Sequence, residues 1–288
     1  MRVAYRTIYQ MIKYNISHIT EKMQKLNTVV ASGKRINDLS DDPVGLSKSL
    51  HLKSKLDEMD QIKRNLSFGK SWLSAAETAL NNVQELLTEA KGIAIEMSNS
   101  TVGQEEQRSA AKVVDNILKE IIVLANSNVN GRYIFSGQNT DTAPFDEDGN
   151  YRGNNSGFTI SAGKDITIQI GYNGQEVFGT IFNTLKDFRD SLENNDIDGI
   201  QQAIGDLNNE FDNISKWISD VGAKTLRIET KENILDDLEL TDKEMVSELE
   251  DADIAEAVID LENIQLAYKA ALASSSKIMK LTLLDYIK

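Results

Sequence analysis

With 288 residues the chain can bury at least one substantial core, and the complete absence of cysteine excludes disulfides, thiolate metal sites and cysteine nucleophiles. A formal charge of −14 argues against general affinity for phosphate backbones, so nucleic acid is not an expected partner. No apolar run is long enough to cross a bilayer, no membrane partner is expected, and MRVAYRTIYQ lacks the apolar core and cleavage site of a signal peptide. Only Pro43 and Pro144 could break a helix, which permits long ones.

In chain order, Tyr5, Tyr9, Ile12, Ile16, Ile19, Met23, Leu26 and Val30 recur at steps of three and four with polar residues between them, the pattern of a helix with one sticky stripe. That helix should stop near Ala31-Ser32-Gly33, where glycine can supply a left-handed cap. Asp42-Pro43 reads as an N-cap followed by proline at the first helical position. The helix it opens should run through Leu46, Leu50, Leu56 and Met59. The stripe Leu66, Leu73, Ala76, Leu80, Val83, Leu87, Ala90, Ala94 and Met97 then continues to the polar break Ser98-Asn99-Ser100-Thr101. Ala110, Val114, Ile117, Ile121 and Leu124 predict an antiparallel return arm.

From about 126 to 179 the pattern changes to glycine, asparagine and short alternating runs, with strands expected at 132–135, 157–161 and 166–170. Helical spacing resumes at Phe182, Leu185, Phe188 and Leu192, so the β segment reads as an insertion that should sit at one end of a helical rod. Two further helices are predicted at about 197–221 and 223–248. The last helix presents Ile254, Val258, Leu261, Tyr268, Leu272, Met279 and Tyr286 on one stripe and Ile264, Ala271 and Ile278 on a second. A helix apolar over more than one seam expects more than one neighbour.

The fold class is therefore mainly α: a long antiparallel helical bundle or coiled-coil rod built from both chain halves, with a small inserted β domain. The expected divisions are 1–38 with 250–288 as an assembly domain, 39–130 with 181–249 as a helical rod, and 131–180 as the β domain. The stripe from Tyr5 to Val30 and the first stripe of the last helix, Ile254, Val258, Leu261, Tyr268, Leu272, Met279 and Tyr286, form the expected assembly interface. Narrow stripes bury too little to offset the backbone ordering of both ends, which are expected to fold on assembly. The start of the chain is basic (Arg2, Arg6, Lys13, Lys22, Lys25, Lys34, Arg35), whereas 229–262 is crowded with acids. Solvated faces account for this, and so does charge matching between the ends.

No catalytic constellation emerges, and no cofactor or metal is expected. His18 and His51 lie far apart without ligand-type neighbours, and the carboxylates fall on polar helix faces. Asp146-Glu147-Asp148-Gly149-Asn150 resembles the opening of a calcium loop, but Gly157 stands where the closing glutamate is needed, and a tight turn between strands is the better reading. Trp72 and Trp217 read as core or interface aromatics.

Several strings together resemble the flagellin superfamily of bacterial flagellar proteins. They are Ser32-Gly33-Lys34-Arg35-Ile36, Ser40-Asp41-Asp42-Pro43-Val44, Trp72-Leu73-Ser74-Ala75-Ala76-Glu77 with Leu80, Val129 to Gly137, Ala267 to Ser274, and Leu283 to Ile287. The resemblance covers almost the whole chain and is weakest between about 146 and 250. Asp42-Pro43, the Val129 to Gly137 string and the Asp285-Tyr286-Ile287 ending are similar to the branch that sits where hook meets filament, rather than to filament-forming flagellin. That resemblance implies a non-catalytic adaptor, secreted through the flagellum's own type III export apparatus. Its implied partners are another hook-associated junction protein, flagellin, copies of itself in a ring, and an export chaperone shielding the stripe of Leu272, Met279 and Tyr286. A secretion-tip or tether protein, bound to a partner or membrane through its basic amphipathic start, is the rival from another class.

Overall fold

The computed structural model describes residues 2–99 and 102–287, with side chains described for 6–99 and 102–277. Over the described residues the backbone forms six helices and four short strands in the order α1 (Arg2–Ser32), α2 (Pro43–Met97), α3 (Gln104–Ala125), β1 (Asn128–Val129), β2 (Arg132–Tyr133), β3 (Thr159–Gly163), β4 (Ile166–Gln169), α4 (Gly174–Glu193), α5 (Ile197–Glu250) and α6 (Ile254–Ile287). Two compact units result, residues 1–57 with 238–288, and residues 58–237.

In the unit of residues 58–237, α2 and α5 run antiparallel. Lys63 meets Asp236 at 2.5 Å, Lys70 meets Glu229 at 2.9 Å, and Gln84 donates to Ser215 Oγ at 2.7 Å. Leu66, Trp72, Leu73, Ala76, Leu80, Val83, Leu87, Ala90 and Ala94 supply the buried face of α2, and Leu207, Ile214, Val221 and Ile228 that of α5. The stripe read from spacing in α2 is thus the core itself. The predicted pair of helices at 197–221 and 223–248 is instead the single helix α5. Gly222 meets nothing within 4 Å and stays helical, because an isolated interior glycine costs only about 1 kcal/mol and flanking Val221 is fully buried. Helices α3 and α4 also pack antiparallel, with Arg189 of α4 bridging Asp115 of α3 at 3.3 Å.

Between α3 and α4 the chain forms two separate antiparallel hairpins rather than one sheet. Asn130 and Gly131, at φ 52° and 79°, make the mirror-image turn that suits the right-handed twist of β1 and β2. Pairing in β3 and β4 runs from Thr159 opposite Gln169 to Gly163 opposite Ile166, with an irregularity after Ser161. Aromatic side chains anchor these segments to the helices. Phe135 and Phe145 stand edge-on to Phe178 at 4.8 and 6.0 Å, Phe158 packs on Trp72 at 5.5 Å, and half-buried Trp217 stands edge-on to Tyr172 at 5.8 Å.

The Asp146 turn is closed by its own carboxylate. Its oxygens accept from the Asn150 backbone at 2.8 Å, from the Asn150 amide at 3.1 Å and from Arg152 at 3.0 Å, while Phe145 bridges Tyr151. Those hydrogen bonds, led by the Asn150 backbone N–H, hold the carboxyl at about 2.

Gly137 is the tightest turn position. It has φ 70°, and a Cβ there would lie 2.3 Å from the Asn154 carbonyl oxygen. Gly137→Ala therefore combines backbone strain with a clash against main chain, and should lower unfolding free energy by about 2–3 kcal/mol in urea titration.

Candidate assembly surface

The unit of residues 1–57 with 238–288 is organised around one carboxylate. Glu250, the last residue of α5, is 2% exposed and accepts hydrogen bonds from Lys34 at 2.7 Å and, more closely still, from Lys53 and Ser49. Three chain segments thus converge on it: the exit of α1, the first turns of α2, and the end of α5. Main-chain bonds tie the same point. Arg35 N–H donates to the Glu250 carbonyl at 2.6 Å, Ala252 N–H donates to the Gly33 carbonyl at 2.9 Å, and Lys34 forms an antiparallel bridge with Asp251. The Arg35 guanidinium donates to the Leu249 carbonyl at 2.9 Å. Burial alone would raise the Glu250 pKa, but the bonds from Lys34, Lys53 and Ser49 outweigh it and hold the group at about 2. The same pairing raises the pKa of the Lys34 ammonium.

Local sequence explains why the chain turns here. Gly33 takes φ 73° immediately after α1, and its N–H closes on the Val29 carbonyl at 2.9 Å, as expected for a left-handed cap. Asp42 accepts from Gly45 N–H at 2.8 Å ahead of Pro43, the cap expected from the sequence. Asp41 accepts from the backbone N–H groups of Asn37 and Asp38 at 3.1 Å and pairs with Lys25 at 2.6 Å. Lys25 first, then those two N–H groups, hold the Asp41 carboxyl at about 2. On the other side Asp253 caps α6, accepting from Ala255 and Glu256 N–H at 2.9 and 3.2 Å.

From this collar α1 and α6 run side by side and antiparallel. In α1 the stripe residues Ile12, Ile16, Ile19, Met23, Leu26 and Val30 are all half-buried, whereas Tyr9 is 56% exposed. In α6 the half-buried row is Leu261, Ile264, Tyr268, Ala271 and Ser275, continued by buried Ala257. Ile254, Val258 and Leu272, placed with Leu261 and Tyr268 on one stripe by the sequence, are instead 43%, 37% and 43% exposed. The side of α6 toward α1 thus combines Leu261 and Tyr268 of the first row with Ile264 and Ala271 of the second, because α1 offers a single narrow stripe and covers only part of the apolar surface of α6. Ile259 and Leu266 are more exposed still, at 59% and 68%. The side chains of Tyr5, Ile278, Met279 and Tyr286 lie outside the described residues.

A groove of about 800 Å3 follows the α1–α6 seam near the collar. Lys22, Lys25 and Arg35 line it together with Asp251, Asp253, Glu256 and Asp260, above a floor that includes Leu26, Val29 and Ile264. The charge asymmetry of the sequence thus brings cations of one end beside acids of the other. In the sequence Lys34 and Arg35 stand out as part of a basic start and of the Ser32–Ile36 string, whereas no motif singles out Glu250. Its place at the end of a long acidic helix, one turn before the Asp253 cap, was the available signal.

Among the described residues no group of three or more histidines, aspartates or glutamates could hold a metal ion. No described helix is long and apolar enough to cross a membrane. His18 lies beside Tyr14, ring to ring at 6.3 Å, on the surface of α1.

The chain has the flagellin superfamily fold: long helices from the two chain ends pair antiparallel in one unit, and the other unit is helical with small β hairpins. The description "Bacterial flagellin N-terminal helical region" matches residues 3–140. The chain is homologous to flagellar hook-associated protein 3. It is 25% identical to that protein of Salmonella typhimurium, over 93% of this chain and 95% of the relative. The crystal structure of Bacillus cereus FlgL is 26% identical, with a TM-score of 0.62 over 68% of this chain and 99% of that one. A putative flagellar hook-associated protein from Vibrio parahaemolyticus shares the fold at 20% identity, with a TM-score of 0.69 over 73% of this chain and all of that one.

Glu250 gives the unit an acid limit of predictable sign. Its folded pKa of about 2 lies below the ordinary 4.5, so its contribution is fully present above pH 4.5 and is lost as pH falls toward 2. Glu250→Ala should cost about 3 kcal/mol, the low end for a broken buried pair, since Lys34 and Lys53 are half-exposed and can rehydrate. Glu250→Gln should flatten the stability profile across that pH window. Urea titrations at a series of pH values check both.

Proposed function

We propose that this chain is a non-catalytic structural adaptor of the bacterial flagellum, joining the hook to the flagellin filament. The observation that carries this reading is homology to hook-associated protein 3 along nearly the full length of both chains, together with terminal helices paired to each other but still apolar on their outer sides. It is a secreted, extracellular component that works with hook and filament proteins.

The finer placement is a short layer at the hook-filament junction. There the terminal helices of each copy contact further copies, another hook-associated junction protein on one side and flagellin on the other. Ile254, Val258 and Leu272 suit such contacts because α1 leaves them exposed. Both ends gain their full order only in that layer, since the seam between α1 and α6 is narrow and half-wet along its length. Before export, a chaperone covering the last helix would keep the same apolar surface from aggregating. The division into assembly ends, helical rod and small β domain assigns the assembly role to 1–38 with 250–288.

Filament-forming flagellin is the nearest alternative, and growth without limit is what separates the two. Sedimentation of the full chain, alone and with hook-junction partner and flagellin fragments, should give finite species only. Hydrogen exchange in 1–35 and 250–288 should slow when those partners are added. Open-ended filaments from the chain alone would reassign it as a filament subunit, and protected ends in a lone monomer would remove folding on assembly. The double variant Val258→Asp, Leu272→Asp changes exposed positions, so its unfolding free energy in urea titration should change by less than about 0.5 kcal/mol. Its partner complexes should weaken about tenfold or more, equivalent to about 1.4 kcal/mol.

A further inference from the structure

The sequence contains two Asn-Gly dipeptides, Asn130-Gly131 and Asn173-Gly174, and the fold treats them in opposite ways. Asn173 caps α4. Its Oδ1 accepts from Gln175 N–H at 3.0 Å, and its Nδ2 donates to Glu176 at 3.0 Å and to Asn155 at 3.5 Å. The following amide is also committed, since Gly174 N–H donates to the Phe135 carbonyl at 2.8 Å and Gly174 is buried. Asn130 and Gly131 are both exposed at the tip of the first hairpin. Among the described residues neither the Asn130 side chain nor the Gly131 N–H has a hydrogen-bond partner, and a Cβ on Gly131 would meet nothing within 4 Å.

We propose that Asn130 is a site of spontaneous deamidation in the folded protein. The Gly131 main-chain nitrogen attacks Asn130 Cγ, the new C–N bond forms as ammonia leaves, and a five-membered succinimide results. Water then opens either imide carbonyl, giving aspartate or isoaspartate with no change of oxidation state. Glycine at the second position removes the side chain that would shield the nitrogen. The rotation about Asn130 ψ needed for attack is available because β1 and β2 pair through two residues each, Asn128 with Tyr133 and Val129 with Arg132, so the tip opens at small cost. Each product changes the hairpin. Aspartate places a new carboxylate beside Arg132, and isoaspartate routes the backbone through an extra methylene inside a two-residue turn. Register would then be lost immediately before buried Ile134 and Phe135, whose carbonyls receive Tyr172 and Gly174 N–H.

The test needs no variant. The full-length folded protein is incubated in mildly alkaline buffer, and peptide mass spectrometry follows conversion of amide to acid at both sites, with isoaspartyl methyltransferase labelling to identify the isomer. A parallel incubation in concentrated urea gives the rates for the open chain. In the folded protein Asn130 should convert at least about tenfold faster than Asn173, since two or three hydrogen bonds of about 1 kcal/mol each must break at the latter. In urea the two rates should converge. Equal rates in the folded protein, or Asn173 leading, would overturn the proposal. The result is independent of the junction role, which neither outcome touches.

Discussion

One buried carboxylate holds the terminal unit together. Glu250 receives Lys34, Lys53 and Ser49 from segments about two hundred residues away in sequence, and the backbone on both sides of it is stitched to Gly33 and Arg35. A lone buried carboxylate would be strongly unfavourable; two ammonium groups and a hydroxyl make this one a fixed point instead. Because the exits of α1 and α5 and the start of α2 meet there, the pairing of α1 with α6 begins from a defined geometry. Without that anchor, two helices sharing a half-wet apolar seam would have little to set their register.

The two units bury apolar surface to different degrees. In residues 58–237 the faces of α2 and α5 are closed, and large aromatics fill the space under the hairpins. Among the described residues of the terminal unit few side chains beyond Ile36, Ser49, Asp242, Glu250 and Ala257 are buried, and the helical stripes stay half-exposed. A subunit that joined others at its ends would benefit from this contrast, since half-exposed terminal stripes leave apolar surface to bury on association. The contrast is in keeping with the superfamily fold and with the structural adaptor role of hook-associated protein 3 homologues.

Helical periodicity was highly legible because it is local. The stripes of α2 and α3, the Gly33 stop, the Asp42-Pro43 start and the Asp146 turn all follow from short-range chemistry. Two features were less so. Gly222 suggests a break that the buried flanks of α5 override, and the side of α6 toward α1 mixes members of both apolar rows because the part of a broadly apolar helix that faces inward is decided by its neighbour. The strand expected at 132–135 is also shorter, ending at Tyr133, with β1 as a partner too short to show alternation. Glu250 was the hardest to foresee, since its three partners come from the opposite end of the sequence.

The collar also has a mechanical consequence. With 31 residues, α1 extends roughly 45 Å from its exit at Ser32. A tilt of about 10° at the collar would carry its far end about 8 Å, close to the spacing of neighbouring helix axes. The salt-bridged knot would therefore act as the bearing of a long lever, with small play at Lys34 and Glu250 magnified at the tip to about the spacing of one helix.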